Sequence, residues 1–389
     1  MSDISVEKNR GREFIGALEE IRNSVSSKLG SESNPELSRL AAVAWSPPLF
    51  IVGCPRSGTT LLQTMLDSHP RLAVTYEADF LVDVPLGLRS SVANAEQALT
   101  VAEAHPNFRT YKFDALAAQA VCGELGIEDA AGAMRVLAAS DALAQGKTRW
   151  GNKTPKAVLH LAELAVVYPD ARFIHVITDG RDSAASQMRV FDRSLVQGAL
   201  LWRTALRAGR LAGSRLGPNR YLEVRLENVI ASPEEQVRRM CAFLGEDFAE
   251  SMLHSHTEAW ERVPASVHSI HPRIGEPPRL ASRARKNAAP SLVQRVATAL
   301  IEAELVELDY VPAASMRSRR IVHVIVGYTL FIVSLRRSLP DLFRYFTRSI
   351  GAHRAARVVR RRSDGRPYQG GIVPHQAAAS TPIEAVGRP

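Results

Sequence analysis

Three short apolar runs punctuate the first two thirds of the chain: Leu49 to Val52, Arg172 to Ile177 and Tyr221 to Val224. Runs this short, without polar alternation, are the pattern of strands buried on both faces. Helical periodicity follows or precedes each of them. Leu61, Leu62, Met65 and Leu66 form one apolar face within Thr59 to Ser68, directly after the first run. Thr154 as N-cap and Pro155 as first helical residue lead into Val158, Leu161, Ala162, Leu164 and Ala165, which Pro169-Asp170 closes. Another helix starts within Thr178 to Ser183, at the end of the second run. Ser232-Pro233-Glu234-Glu235 predicts a capping box heading a helix through Val237, Met240, Cys241 and Leu244, and Gly245 stops it. Strands alternating with helices imply right-handed crossovers, a mostly parallel sheet, and ligands at the carboxyl ends of the strands.

The flanks read differently. Residues 1–46 form a helical extension, with Phe14, Leu18 and Ile21 at helical spacing before the breaker Gly30 to Pro35. Residues 47–314 form the main domain, and the Ala- and Leu-rich stretch of about 90–147 is a helical insertion within it. Residues 315–389 form a C-terminal extension. Its apolar run Ile321 to Leu335 lies between Arg319-Arg320 and Arg336-Arg337. As a helix it is about 22 Å long, short of a hydrocarbon core of about 30 Å. Two readings stand: an interfacial attachment to an anionic membrane surface, or a buried or oligomer-forming helix. From Arg360 onward the Gly, Pro and Ala content predicts disorder.

The net charge of +9 suggests nucleic acid until its distribution is examined. Residues 315–389 carry 14 arginines and no lysine against three acids, leaving 35 bases and 37 acids elsewhere. The main domain is therefore nearly neutral, and a nucleic-acid-binding body is disfavoured. Cys54, Cys122 and Cys241 are odd in number and widely separated, which fits neither a disulfide framework nor a zinc site. With a polar start over Met1 to Ile21 and no secretory pattern, the expected setting is cytoplasmic, peripheral on the inner membrane face if the tail attaches.

Gly53-Cys54-Pro55-Arg56-Ser57-Gly58-Thr59-Thr60 joins the first strand to the first helix. Such a glycine turn aims backbone N–H groups and the positive end of a helix dipole at one point, which makes an anion site. Gly53 and Gly58 have the spacing of a nucleotide triphosphatase P-loop, but Thr59 stands in the lysine position and Arg56 lies inside the loop. The expected fold class is thus α/β: a P-loop-like three-layer α/β/α arrangement around a mostly parallel sheet, with helical additions and a basic C-terminal tail.

The stretch from Phe50 to Leu62 resembles the 5′-phosphosulfate loop of sulfotransferases that use 3′-phosphoadenosine 5′-phosphosulfate (PAPS). Asp67-Ser68-His69-Pro70 with Glu77, Asn152-Lys153-Thr154-Pro155, Asp179-Gly180-Arg181 with Ser186, and Tyr221 through Gly245 extend the resemblance, nearest to the tyrosylprotein and bacterial branch. It covers about Leu49 to Leu253, reaching Pro312 at most. The resemblance implies that Arg56, Ser57, Gly58, Thr59 and Thr60 hold the 5′-phosphosulfate, and that the loop after the second run holds the 3′-phosphate. There the chain departs from the pattern, with Thr178 where the family has an arginine, eight residues before Ser186. Arg181 supplies the missing charge, with Arg189 one turn after Ser186, or else Arg181 pairs with Asp179 or Asp182. Leu226 stands where the family often has an aromatic residue. Arg283-Ala284-Arg285-Lys286-Asn287 faintly resembles a basic 3′-phosphate-binding segment.

Sulfuryl transfer to a hydroxyl needs a base at the acceptor, in-line positioning, and positive charge at the leaving oxygen. It does not require a metal, and none is expected here. The resemblance makes Glu77 the base, and Arg56 and Lys153 are the candidate cations. His69 is the competing base, read instead as a residue that caps or packs the turn before Pro70. The expected partner is a hydroxyl-bearing acceptor: a small molecule, sugar, lipid or tyrosine side chain. Two alternatives stay open: a P-loop kinase or triphosphatase using Asp179 with magnesium, and a non-catalytic nucleotide-binding relative. A homo-oligomer is also left open.

Overall fold

In the computed structural model, residues 35–88, 90–105, 107–108, 114–279 and 291–312 are described. The helix expected over Phe14, Leu18 and Ile21, the basic segment Arg283 to Asn287, and the extension 315–389 lie outside the described residues.

Strand β1 (Leu49–Gly53) is buried throughout because both of its faces are covered. Side chains alternate across a strand, so Phe50 and Val52 enter one apolar cluster while Leu49 and Ile51 enter another. The same division runs through β2 (Leu72–Tyr76), β4 (Arg172–Ile177) and β5 (Tyr221–Arg225), whereas the polar β3 (Arg149–Lys153) gives only Trp150, to the first cluster. All pairings are parallel, in the order β2-β3-β1-β4-β5. The sheet therefore has five strands rather than the three read from the sequence. Both additions, β2 and β3, lie on the side of β1 that faces the insertion.

One face is covered by α1 (Pro35–Ala44), the insertion helices, and a group of later helices. The other face is covered by α2 (Thr59–Asp67) and the helix Pro233–Leu244, whose Leu62, Met65, Val237 and Met240 share a cluster with Leu49 and Ile51. This is the three-layer α/β/α arrangement expected from the alternation of elements. The insertion consists of α3 (Ala95–Glu103), α4 (Ala115–Leu125) and α5 (Ala130–Ala144). Each starts at an acidic or amide N-cap, Asn94, Asp114 or Asp129, whose side chain accepts a first-turn backbone N–H.

After β3, residues Pro155–His160 form a 3-10 helix that runs into α6 (Leu161–Val167). Thr154 occupies the N-cap position, but its hydroxyl donates to Asp79 Oδ1 at 3.2 Å and makes no cap bond. Next come α7 (Gly180–Phe191) and α8 (Leu195–Leu216), the latter headed by a closed capping box between Ser194 and Gln197. The box expected at Ser232 does not form. Pro233 opens α9 (Pro233–Leu244) without a side-chain cap bond, and Gly245 ends it at φ 69° as expected. Further along, α10 (Leu292–Leu300) packs back on α8.

The floor under the carboxyl edge is aromatic. Phe50 stacks with Phe173 at 5.7 Å and meets Tyr168 at 5.3 Å and Trp150 at 5.9 Å, and each such pair adds about 0.5–1.5 kcal/mol beyond area burial. Tyr168 also donates to the Leu81 carbonyl at 3.0 Å, tying this floor to the segment that follows β2.

Gly53 ends β1 at φ 155°, and a Cβ there would lie 2.6 Å from the Val176 carbonyl oxygen of β4. Gly53→Ala is accordingly expected to lower unfolding free energy by about 2–4 kcal/mol, from disfavoured backbone plus overpacking. Urea denaturation followed by circular dichroism measures this; an unchanged midpoint would show that the strand end gives way freely.

Candidate functional site

The loop from Cys54 to Gly58 leaves β1 at the carboxyl edge of the sheet and enters α2. Gly58 is the N-cap residue at φ 90° with no side-chain cap bond, so the first-turn amides of α2 open onto the loop uncovered. Ser57, Thr59 and Thr60 are buried there, and Ser57 Oγ is a buried hydroxyl with no hydrogen-bond partner among the described residues. An orphaned hydroxyl beside open helix amides is a cavity shaped for acceptor oxygens, as a phosphate or sulfate group provides. Helix α7 holds the loop from behind: Ser183 Oγ donates to the Pro55 carbonyl at 3.2 Å, and Gln187 Nε2 reaches Cys54 Sγ at 3.3 Å. Burial pushes the Cys54 thiol up to about 12, so it stays protonated and packs as a small apolar group.

Lys153 and Glu77 meet at the ends of β3 and β2. Tyr76 and Lys153 are register partners in the parallel pair, and Glu77 follows immediately. Lys153 Nζ donates to Glu77 Oε1 at 2.7 Å and lies 3.4 Å from the centre of the Tyr76 ring. The lysine side chain is fully buried, whereas the glutamate side chain is 36% exposed. Desolvation therefore lowers the lysine to about 8, with the Glu77 charge and hydrogen bond opposing the shift. Glu77 holds a left-handed backbone at φ 50°, fixed by its N–H on the Lys153 carbonyl at 2.7 Å and by Asn107 Nδ2 donating to its own carbonyl at 2.8 Å. The structure puts Glu77 at the tip of a strand, beside Lys153.

Arg56 is a second left-handed residue, at φ 70°. Only four non-glycine residues have positive φ among those described, and two of them are Arg56 and Glu77. Its Nε donates to Ser186 Oγ at 3.1 Å, bringing together two residues singled out from the sequence. Its Nη1 contacts His271 Nδ1 at 3.4 Å, and His271 Nε2 lies 2.9 Å from the Tyr76 hydroxyl. Burial lowers the Arg56 pKa and raises that of Tyr76, while burial and the nearby Arg56 and Lys153 charges push His271 down to about 3. Tyr76 and His271 were missed in the sequence. Tyr76 closes an apolar five-residue run that β-branched and aromatic content could have identified as a strand. His271 carried no motif.

The end of β4 is built differently from the loop. Thr178 Oγ1 donates to Glu227 Oε1 at 2.8 Å, the Asp179 N–H donates to the same oxygen at 3.0 Å, and Tyr310 donates to Glu227 Oε2 at 2.9 Å. Arg181 lies against Asp179, with Nε at 2.9 Å from Oδ1 and Nη2 at 2.5 Å from Oδ2. Of its two expected uses, acid pairing is the one seen. Arg189 is exposed. Leu226 closes over the anion loop: a Cβ on Gly58 would stand 2.4 Å from its Cδ1. His69 bonds the Asp247 carbonyl through Nε2 at 2.9 Å and accepts the Arg71 N–H at Nδ1, so it packs its turn as expected.

Beside Glu77, one ligand atom from each of Asp79, Asp83 and His105 lies within 4.8 Å of the others, a spacing that could hold a cation. The Lys156 ammonium already sits among them, 2.7 Å from Asp79 Oδ2 and 3.4 Å from Asp83 Oδ2. Among the described residues, no helix is long and apolar enough to cross a membrane.

The sequence has relatives among known proteins. The chain is 28% identical to protein-tyrosine sulfotransferase A of Caenorhabditis elegans over 218 residues, 54% of this chain and 52% of that protein. It is 25% identical to protein-tyrosine sulfotransferase 2 of Gallus gallus, over 54% of this chain and 53% of that one. The chain thus spans about half the length of the relatives it matches. Among solved structures, the sulfotransferase domain of the Synechococcus PCC 7002 olefin synthase aligns over 66% of this chain and 94% of its own, with 22% identity and a TM-score of 0.47. The model of the sulfotransferase family matches residues 47–250, which include the anion loop, Glu77, Lys153 and Ser186 and make up just over half of the chain. The chain belongs to the sulfotransferase family.

Proposed function

We propose that this protein transfers a sulfuryl group from PAPS to an acceptor hydroxyl, with the donor's 5′-phosphosulfate in the Cys54–Thr60 loop. The observation that carries the proposal is the Glu77–Lys153 pair at 2.7 Å, a half-exposed carboxylate joined to a buried ammonium. Both act electrostatically on Arg56 of the anion loop. Base and cations thus share one electrostatic neighbourhood with the loop, which supports the reading.

In this reading the Glu77 carboxylate takes the acceptor's proton as the acceptor oxygen bonds to sulfur. The bond from sulfur to the bridging oxygen breaks in line, and the electron pair leaves on the nucleotide 5′-phosphate. Arg56 and Lys153 stabilise that growing negative charge. Orphaned Ser57 Oγ and the open α2 amides fit the equatorial oxygens. The residues present fit a phosphosulfate, and no step requires a metal. Magnesium-dependent phosphoryl transfer has less support. Both carboxylate oxygens of Asp179, its natural magnesium ligand, are engaged by Arg181, and Thr59 stands in the lysine position.

Transfer of label from sulfur-35 PAPS tests the proposal, with tyrosine peptides, phenols, sugars and lipids as separate acceptor arms. Calorimetry with adenosine 3′,5′-bisphosphate and with magnesium ATP runs in parallel. Binding of magnesium ATP alone, with no label transfer in any arm, would overturn the reading.

Glu77→Gln and Lys153→Met are each expected to lower turnover by about 10²- to 10⁴-fold while affinity for adenosine 3′,5′-bisphosphate stays within several-fold. Near-normal turnover in either variant removes that residue from the chemistry.

The Lys153 pKa sets opposite slopes for activity and stability. Activity relies on the ammonium, so kcat/KM is expected to fall as pH rises through about 8. The folded protein gives up this proton at about 8, whereas the unfolded chain keeps it to 10.5. Its contribution to unfolding free energy therefore rises with pH across that interval, and Lys153→Met abolishes the rise. Urea titrations at stepped pH measure the second slope.

A further inference from the structure

His271 lies outside the stretch matched by the family model, on a segment that folds over the loop from beyond α9. Local contacts set this segment in place. The 3-10 helix Ala265–Ile270 starts at Pro264, His268 Nε2 bonds the Val263 carbonyl at 2.8 Å, and the His268 ring packs edge-on against Trp260 at 4.7 Å. The His271 N–H closes the helix on the His268 carbonyl at 3.0 Å, and the Ile274 N–H bonds the His271 carbonyl at 3.1 Å. The ring is therefore delivered to Arg56 and Tyr76 by a fixed turn.

The partners determine where its proton is. A guanidinium has only donors, so the contact between Arg56 Nη1 and His271 Nδ1 requires Nδ1 to accept. In a neutral imidazole the proton is then on Nε2, which donates to the Tyr76 hydroxyl at 2.9 Å. Burial first, and then Arg56, Lys153 and His268, act against a positive charge on this ring and keep it neutral. Ser186 holds Arg56 at Nε and His271 holds it at Nη1, and these two bonds fix the plane of the guanidinium.

We infer that His271 is a positioning residue for Arg56: as the Nε2-protonated neutral tautomer, it accepts from the guanidinium and aims its remaining N–H groups at the donor's phosphosulfate. The inference rests on the sulfuryl-transfer reading, and it assigns a role beyond the matched family region.

Asparagine and glutamine separate the two nitrogens. The Asn carbonyl oxygen falls near Nδ1 and can accept from Arg56, while the Gln amide falls near Nε2 and can only serve Tyr76. In the full chain, His271→Leu and His271→Gln are expected to raise the KM for PAPS by about 10- to 100-fold, and His271→Asn to stay within about threefold of the native protein. In an Arg56→Ala background all three substitutions should have no further effect. Nitrogen-15 NMR of the native protein at pH 6 should show Nε2 protonated and Nδ1 bare. Full function in His271→Leu, equal rescue by Gln and Asn, additive losses with Arg56→Ala, or a protonated Nδ1 would each overturn the assignment. If the native protein transfers no sulfuryl group from PAPS, the functional reading falls instead. The NMR tautomer, and calorimetric binding of adenosine 3′,5′-bisphosphate across the same variants, still judge His271.

Discussion

An ammonium group buried on an interior strand costs several kcal/mol unless it is paired, and much of this site follows from meeting that cost at Lys153. The Glu77 carboxylate supplies one partner at 2.7 Å and the Tyr76 ring face supplies another at 3.4 Å. Both come from one register match, in which Tyr76 lies opposite Lys153 and Glu77 turns back at the strand tip. That turn requires a left-handed backbone at a residue with a side chain, which costs about 1–3 kcal/mol. Asn107 from the insertion helps hold it through the Glu77 carbonyl, so the insertion supports the site as well as covering one face.

The anion loop shows the same economy at Arg56. Its left-handed φ points a cation back over the loop, and Ser186 restrains it from α7. Loop and pair are not separate devices. Tyr76 lies beneath Lys153 and touches His271, which in turn touches Arg56, so polar contacts run unbroken from the β2 tip to the β1 loop. At the end of β4, by contrast, Glu227 gathers the available donors and Arg181 is held by Asp179.

The parts of the fold legible in the sequence were those where local chemistry and burial agree. β1 and β4 are apolar on both faces and so read as buried strands, and Gly53 and Gly58 marked the loop between β1 and α2. β3 was invisible for the reason that makes it useful. Arg149, Asn152 and Lys153 are polar, yet they lie inside with partners far away in sequence: Arg149 bonds Glu246 and the Leu244 carbonyl, Asn152 the Ala78 carbonyl, and Lys153 Glu77. No periodicity rule anticipates a buried polar strand. The motif residues Arg56, Glu77, Lys153 and Ser186 could be named in advance because their spacing is local or matches a family pattern. His271 could not, since its role exists only once a distant turn closes over the loop. No cap bond forms at Ser232, which also ends the short helix Leu226–Ala231 with its N–H on the Asn228 carbonyl at 2.8 Å, and Thr154 gave its hydroxyl to Asp79.

The contacts that complete the site join residues far apart along the chain. Lys153 and Glu77 are separated by 76 positions, Arg56 and Ser186 by 130, and Arg56 and His271 by 215. Closure entropy grows slowly with separation, by about 0.6 kcal/mol for each doubling, but such contacts form only after the intervening chain is in place. A growing polypeptide emerging from the ribosome would have its glycine turn long before it had anything to brace the arginine there. Anion affinity at this loop is therefore a late-stage property, acquired as the segment bearing His271 docks, and a measure of how complete the folded molecule is.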